Sequence, residues 1–144
     1  MLLVDAQHGA SQPLARRCTY ALVWAPSASL NREGNALALA VQPLEAWREL
    51  WLFRRTGRQW AIAVLPPGAA TPQLGYAEFA GWVPGGQQVL VAREARSQGR
   101  YRRSYEVVSL DSLATRQQAG EATALGPLQK WQDAGWKRMT VSLR

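Results

Sequence analysis

Short apolar runs that alternate with small or polar residues dominate this chain, and turn-forming residues separate them. Residues 35–41 (NALALAV) and 87–94 (QQVLVARE) alternate with a period of two, which is the period of side chains along a β-strand. Three further runs are rich in aromatic and β-branched residues: ELWLFRR (49–55), QWAIAVL (59–65) and SYEVVSL (104–110). Short strands with frequent turn signals predict an antiparallel all-β fold and leave no room for long helices.

An internal repeat organises these strands. The pattern Trp–x–Pro at Trp24 and Pro26 returns at Trp82 and Pro84, and a loop and an alternating strand follow each copy. Farther downstream, both copies continue with an aromatic and aliphatic strand, a tight turn and another strand. Self-similarity of this kind indicates repeated supersecondary units. We therefore predict two similar four-stranded antiparallel sheets in which Trp24 and Trp82 occupy equivalent, largely buried places.

The whole chain is predicted to be a single all-β domain, 1–144. Its parts are half a unit at 1–17, whole units at 18–65 and 76–119, and a tail at 120–144.

The tail breaks the strand pattern. Pro127 suits the first turn of a short helix that runs to about Asp133, with Gly135 as its C-terminal stop. The sequence WKRMTVSLR then alternates again and predicts a final strand. One face of this strand would carry Met139, Val141 and Leu143, which could join an open sheet edge by strand addition.

The stretch GWVPGGQQVLVAREA, residues 81–95, resembles the blade motif of TolB-like (WD-like) β-propeller repeats, which reads Trp–Ser–Pro–Asp–Gly–Lys before an apolar strand. The resemblance implies that Trp82 packs between blades, that Pro84, Gly85 and Gly86 form the hairpin turn, and that residues 89–91 form an inner strand. Gly85 stands where the family has Asp.

In the first copy, Trp24, Pro26 and residues 37–41 would play the same parts. The resemblance also implies that this chain is the C-terminal part of a longer propeller of a bacterial periplasmic or secreted protein, with an upstream signal peptide removed.

A partial β-propeller of about two and a half blades would not close into a ring, because propellers have four to eight blades. Its open faces would need cover, so we expect self-association as a homodimer, closure against the C-terminal strand, or poor solubility. The alternative fold is a single β-sandwich or barrel with accidental internal similarity.

Catalysis is disfavoured by the residues available. Cys18 and His8 are the only cysteine and histidine, so a disulfide within the chain, a thiolate zinc site and most histidine-dependent mechanisms are excluded. The acidic residues are scattered, and neither a nucleophile elbow nor a phosphate-binding glycine loop is present. We predict no catalytic residues, no metal and no cofactor. No apolar run in the sequence is long enough for a membrane span.

Binding is the function that the composition favours. The chain has 17 Lys and Arg against 10 Asp and Glu, for a net charge of +7. Arginines and aromatic residues, which are typical of interface hot spots, cluster where hairpins are predicted to end. The candidate interaction surface comprises Trp47, Arg54, Arg55, Arg58, Arg100, Tyr101, Arg102 and Arg103.

The leading hypothesis is a non-catalytic scaffold that binds a protein partner through the loops of its blades. One alternative is nucleic-acid or other polyanion binding by the same residues, with arginine on phosphates and aromatic rings on bases. A second alternative is that the chain forms part of a larger propeller enzyme.

Overall fold

The computed structural model describes residues 1–68 and 74–139. Within them lie ten strands, one 3-10 turn (Ala122–Ala124) and two short helices. The strands are β1 Leu2–Leu3, β2 Ala15–Arg16, β3 Leu22–Leu30, β4 Ala36–Leu44, β5 Trp47–Thr56, β6 Gln59–Leu65, β7 Gly75–Val83, β8 Gln88–Ser97, β9 Arg100–Ser109 and β10 Thr115–Ala119; the helices are α1 Gly126–Trp131 and α2 Ala134–Met139. The prediction of a mainly β chain with antiparallel strands and a short helix near the C-terminus is confirmed.

The long strands form two antiparallel meanders, each with four strands joined in chain order. The first meander is β3–β6 and the second is β7–β10. A short parallel pairing of Trp47 with Gly75 and of Arg48 with Tyr76 joins them into one eight-stranded sheet. The predicted sheets are therefore not separate, and in the described residues the sheet order ends at β10 and β3 without closing into a barrel.

The two meanders pack face to face. Because side chains alternate along a strand, each meander presents one apolar row to the other. The first contributes Ala36, Ala38, Leu50, Leu52 and Leu65, and the second contributes Ala77, Val89, Val91, Val108 and Leu110. All ten are buried, and small residues on β4 allow the sheets to approach closely. Burial of a Leu or Val side chain stabilises a fold by about 1.5–3 kcal/mol, so this row holds the meanders together.

The outer faces of both meanders are covered by the chain itself. On the first meander, Met1, Leu3 and Ala15 of the β1–β2 hairpin and its flank pack against a cluster that includes Trp51 and Phe53. On the second, α1 and α2 cover a cluster built around Leu90 and Tyr105 and bury their own Leu128 completely. The expectation of an open apolar blade face is therefore wrong for these two faces, since terminal segments occupy them.

The tail is helical where a strand was predicted. Helix α1 begins at Gly126 with Pro127 in its first turn, as predicted, but Gly135 does not stop it and instead lies inside α2. Asp133 caps α2, because its Oδ1 accepts a hydrogen bond from the Trp136 backbone N–H at 2.9 Å. The predicted strand is therefore wrong over residues 136–139, and the remainder of it, 140–144, lies outside the described residues.

A close approach between two backbone segments holds α1 and α2 against the second meander. Gly81 lies at an irregularity of the β7–β8 ladder and has a φ of +151°. A Cβ at Gly81 would lie 2.3 Å from the carbonyl oxygen of Trp131. The Asp133 N–H donates to the Ala80 carbonyl oxygen at 2.7 Å, so the linker between α1 and α2 extends the hydrogen bonding of β7.

Candidate interaction sites

The structure divides the predicted interaction surface between the two ends of the meanders. Arg54, Arg55 and Arg58 lie where β5 ends and β6 begins. The segment 100–103 begins β9, whose residues pair with the end of β8, next to the start of β7 and of β5. The two groups are thus at opposite ends of ten-residue strands. Trp47 is only 4% exposed at the seam between the meanders and does not form part of a surface.

Arg103 is committed to an internal contact. Its Nε and one terminal nitrogen donate to Glu94 Oε2, at 3.1 and 2.7 Å, and the Tyr76 hydroxyl donates to the same oxygen at 2.8 Å. The hydrogen bond to Glu94 raises the pKa of Arg103. Burial, followed by the bond to Glu94, raises the pKa of Tyr76 above its usual range. These groups form a polar row across β7, β8 and β9 that locks the three strands in register.

Two further glutamates lie beside this row, Glu106 buried and Glu78 partly buried. Arg48 forms an ion pair with Glu78, and the Trp136 indole N–H donates to Glu78 Oε2 at 3.0 Å. Burial raises the pKa of Glu78, although Arg48 and Trp136 act in the opposite direction. Glu106 forms an ion pair with Arg93 at 3.1 Å. Each of these carboxylates is thereby engaged in holding strands and helices together.

Sequence reasoning missed these pairs, although one of them had a signal. Gln98 and Gly99 make the turn between β8 and β9, and both have positive φ. This turn fixes the pairing of Ser97 with Arg100 and, by counting outward, of Glu94 with Arg103. The pairs of Glu78 and Glu106 with arginines had no comparable local signal.

The two Trp–x–Pro patterns lie in different settings, which corrects their predicted equivalence. Pro84 opens the predicted tight turn between β7 and β8, where Gly85 and Gly86 have φ of 105° and 69°. Pro26 instead lies inside β3, at an irregularity in the pairing of β3 with β4. A proline is tolerated there because β3 is an edge strand and its outer side needs no backbone donor.

The two tryptophans differ in the same way. Trp82 is half-buried, its indole N–H donates to Ser29 Oγ at 3.1 Å, and its ring lies 4.9 Å from that of Phe79. It therefore links the second meander to β3. Trp24 is 44% exposed, and its indole N–H reaches only Gln42, at 3.3 Å. The prediction of burial is wrong for Trp24 because, in the described part of the chain, β3 ends the sheet and no further strand packs beside it.

The edge formed by β3 is apolar and exposed. Its nine residues, LVWAPSASL, include no charged side chain, and Leu22 and Leu30 are 58% and 59% exposed. Leu22 and Trp24 lie on one face of the strand, whereas the irregularity around Pro26 turns Leu30 to the other face. Leu44, on the neighbouring strand β4, is also exposed. Edge strands are ordinarily protected by charges, which β3 lacks.

A cleft opens between the end of β5 and the turns of the second meander. It lies at the end of the first meander that is opposite to Leu22 and Trp24. Its volume is about 390 Å³. Arg54 spans it, since one terminal nitrogen donates to the Leu110 carbonyl oxygen at 2.7 Å and also to the Asp111 carbonyl oxygen. Arg55 and Arg116 line the same space. We call this space the arginine cleft.

One wall of the arginine cleft is made by two loops that bind each other. Asn31 is buried, and its Oδ1 accepts a hydrogen bond from the backbone N–H of Asn35 at 3.0 Å, which shapes the β3–β4 loop. Glu33 Oε1 then accepts from the Gly85 N–H at 2.8 Å, and Asn35 Nδ2 donates to the Gly86 carbonyl oxygen at 3.0 Å. The cleft is therefore a built feature of the contact between the meanders.

Comparison of this chain with protein-family models, with curated proteins and with solved structures found no match. Over residues 1–68 and 74–139, no group of three or more His, Cys, Asp or Glu side chains is placed to hold a metal ion. No helix in the described part of the chain is both long and apolar enough to span a bilayer.

Proposed function

We propose that this protein is a binding module that takes up an extended, apolar segment of a partner protein along the free edge of β3. The observation that carries this proposal is an edge strand of nine residues without a charge, with Leu22 and Trp24 exposed on one face. A free edge presents unpaired backbone donors and acceptors, and an added strand satisfies them while its side chains contact exposed apolar groups.

The edge itself indicates where the partner pairs. Pro26 has no N–H, and the irregularity between Trp24 and Ser29 interrupts the ladder. Ser27 closes that interruption, because its hydroxyl donates to the Trp24 carbonyl oxygen at 2.6 Å and accepts from the Ala40 N–H at 2.8 Å. The regular part of the edge before Pro26 is therefore the part that supports an added strand, with Leu22 and Trp24 selecting its side chains.

The charge of the chain adds a second feature of the partner. A net charge of +7 attracts acidic proteins during encounter and repels basic ones. We therefore expect an apolar segment flanked by acidic residues. The arginines at the hairpin ends, Arg58, Arg100 and Arg102, would contribute to steering more than to the contact itself.

A random peptide display library, panned on the wild-type protein with the Trp24→Asp variant as counter-selection, tests this proposal. Enriched peptides should alternate apolar residues between acidic flanks and bind Trp24→Asp at least about tenfold more weakly by calorimetry. Binding should protect the amide groups around Leu22 from hydrogen exchange. Tyr101→Asp, which changes an exposed aromatic residue elsewhere, is the matched control and should bind like the wild type.

Three outcomes would overturn the proposal. Peptides that bind both variants equally well, or a failure to enrich any peptide, would remove the role of β3. Sedimentation that shows a concentration-dependent dimer of the wild type, abolished in Trp24→Asp, would assign the edge to a second copy of this chain instead.

A further inference from the structure

We propose that the arginine cleft binds a small molecule that bears a phosphate group. The proposal starts from the ion-pair partners of the partly buried arginines. Three other partly buried arginines, Arg48, Arg93 and Arg103, each form an ion pair with a glutamate whose side chain is at most 10% exposed. Among the described residues, Arg54 has no carboxylate within ion-pair distance and bonds only to carbonyl oxygens.

The geometry of Arg54 leaves donors available for a ligand. One terminal nitrogen is held by the Leu110 and Asp111 carbonyl oxygens, whereas the other makes no hydrogen bond in the described part of the chain and can donate to a ligand. A guanidinium fixed in this way keeps its planar fork in one orientation at little further cost in side-chain entropy. A fixed, charged donor beside an open cleft favours an anion, because charge-assisted hydrogen bonds are stronger than neutral ones.

The charge balance of the arginine cleft selects a dianion. Arg54, Arg55 and Arg116 are cationic, and among the described residues Asp111 is the one acidic residue that lines the cleft. The balance is two positive charges, which a phosphate monoester carrying two negative charges would neutralise. Neutral side chains beside the arginines, Thr56 and Gln87 among them, add hydrogen-bonding groups that a phosphate ester can use.

The size of the cleft indicates an ester rather than a free ion. A volume of about 390 Å³ lies within the range of about 300–1,000 Å³ that small-molecule sites occupy. Inorganic phosphate alone would leave much of this space to water. The cleft lies at the opposite end of the first meander from Leu22 and Trp24, so it can act independently of the proposed partner site on β3.

Calorimetric titration with inorganic phosphate, adenosine monophosphate and adenosine tests the proposal. We expect one site per chain that binds both phosphates, with the monophosphate tighter, and no binding of adenosine. Arg54→Gln should weaken binding of the monophosphate about tenfold or more. Arg58→Gln is the matched control, because Arg58 is an exposed arginine of the adjacent β5–β6 turn that does not line the cleft, and it should change the affinity less than twofold.

A second variant guards against misfolding of Arg54→Gln, whose side chain bridges the meanders. Arg116 is exposed and makes no hydrogen bond or ion pair within the described residues, so Arg116→Gln should fold normally and weaken binding several-fold. Absence of phosphate binding, or equal losses in Arg58→Gln and Arg116→Gln, would overturn the proposal. Binding of an oligonucleotide but not of the monophosphate would also overturn it. Trp24→Asp should leave phosphate binding unchanged, which keeps this test separate from that of the β3 edge.

Discussion

The contact between β7 and the C-terminal helices predicts that Gly81→Ala destabilises this protein more than an ordinary glycine substitution. A Cβ at this position would lie 2.3 Å from the Trp131 carbonyl oxygen and 3.1 Å from the Asp133 nitrogen. Both atoms belong to the backbone, so no side-chain rotation relieves the clash. The linker between α1 and α2 must move away from the sheet instead.

The expected loss has three parts. A non-glycine residue held at a φ of +151° costs about 1–3 kcal/mol. Displacing the linker breaks the hydrogen bond from the Asp133 N–H to the Ala80 carbonyl oxygen, which contributes about 1 kcal/mol. Loosening α1 exposes part of Leu128, whose full burial contributes about 1.5–3 kcal/mol. We expect the free energy of unfolding to fall by about 3–5 kcal/mol, a large share of the usual 5–15 kcal/mol.

Gly85→Ala is the matched control. Gly85 also has a positive φ, 105°, but an added Cβ there would meet no atom within 4 Å. Only the backbone strain remains, so Gly85→Ala should cost about 1–2 kcal/mol. Urea unfolding followed by tryptophan fluorescence measures both losses, and hydrogen exchange over residues 120–139 reports on the helices. Equal losses in the two variants, or unchanged protection of the helices in Gly81→Ala, would refute the reasoning.

Two further predictions concern Trp82 and Trp24, which differ in burial, and Tyr76, whose hydroxyl donates to Glu94. Trp82→Ala should lower the free energy of unfolding by about 2–4 kcal/mol, because it removes a half-buried ring and its bond to Ser29, whereas Trp24→Ala should cost less than about 1 kcal/mol; equal losses in urea unfolding would contradict this. Tyr76→Phe should cost about 1–3 kcal/mol at neutral pH, since the Glu94 carboxylate loses a donor. Because burial raises the pKa of Tyr76 above 10.0, the folded chain keeps a proton that the unfolded chain releases, so wild-type stability should fall as pH rises through and above 10, and less steeply in Tyr76→Phe. Parallel stability curves for the two proteins in this pH range would show that Tyr76 does not contribute.

Local features of the sequence were sufficient for the strands and for the turn at Pro84. Alternation and runs of aromatic and β-branched residues depend only on neighbours in the chain, and they identified β4, β5, β6, β8 and β9; the internal repeat supplied the count of four strands in each half. Gly85 and Gly86 provide the positive φ that a tight turn requires, and no distant contact is needed for that choice. Pro127 likewise marked the start of α1, since it suits the first turn of a helix.

Local features failed where two patterns were compatible with the same residues. From Trp136 onward, the alternation predicted a strand, but Asp133 offers a capping oxygen and the face of β7 offers an apolar surface for a helix. The indole of Trp136 packs edge-on against Tyr105 and donates to Glu78. These contacts join residues far apart in the chain, and they favour the helix over an isolated strand.

The candidate sites depend almost entirely on the tertiary structure. The sequence by itself determined that arginines and aromatic residues stand near hairpin ends, because turn chemistry is local. Only the packing of the meanders decided that Trp47 is buried at their seam, that Arg54 and Arg103 lie at opposite ends, and that Arg116 joins Arg54 in one cleft. The physical reason is that these features depend on how strands distant in sequence meet. The meanders pack face to face, two residue pairs join them in parallel, and β3 is left at the edge of the sheet. The period of a strand contains no information about its neighbouring strands.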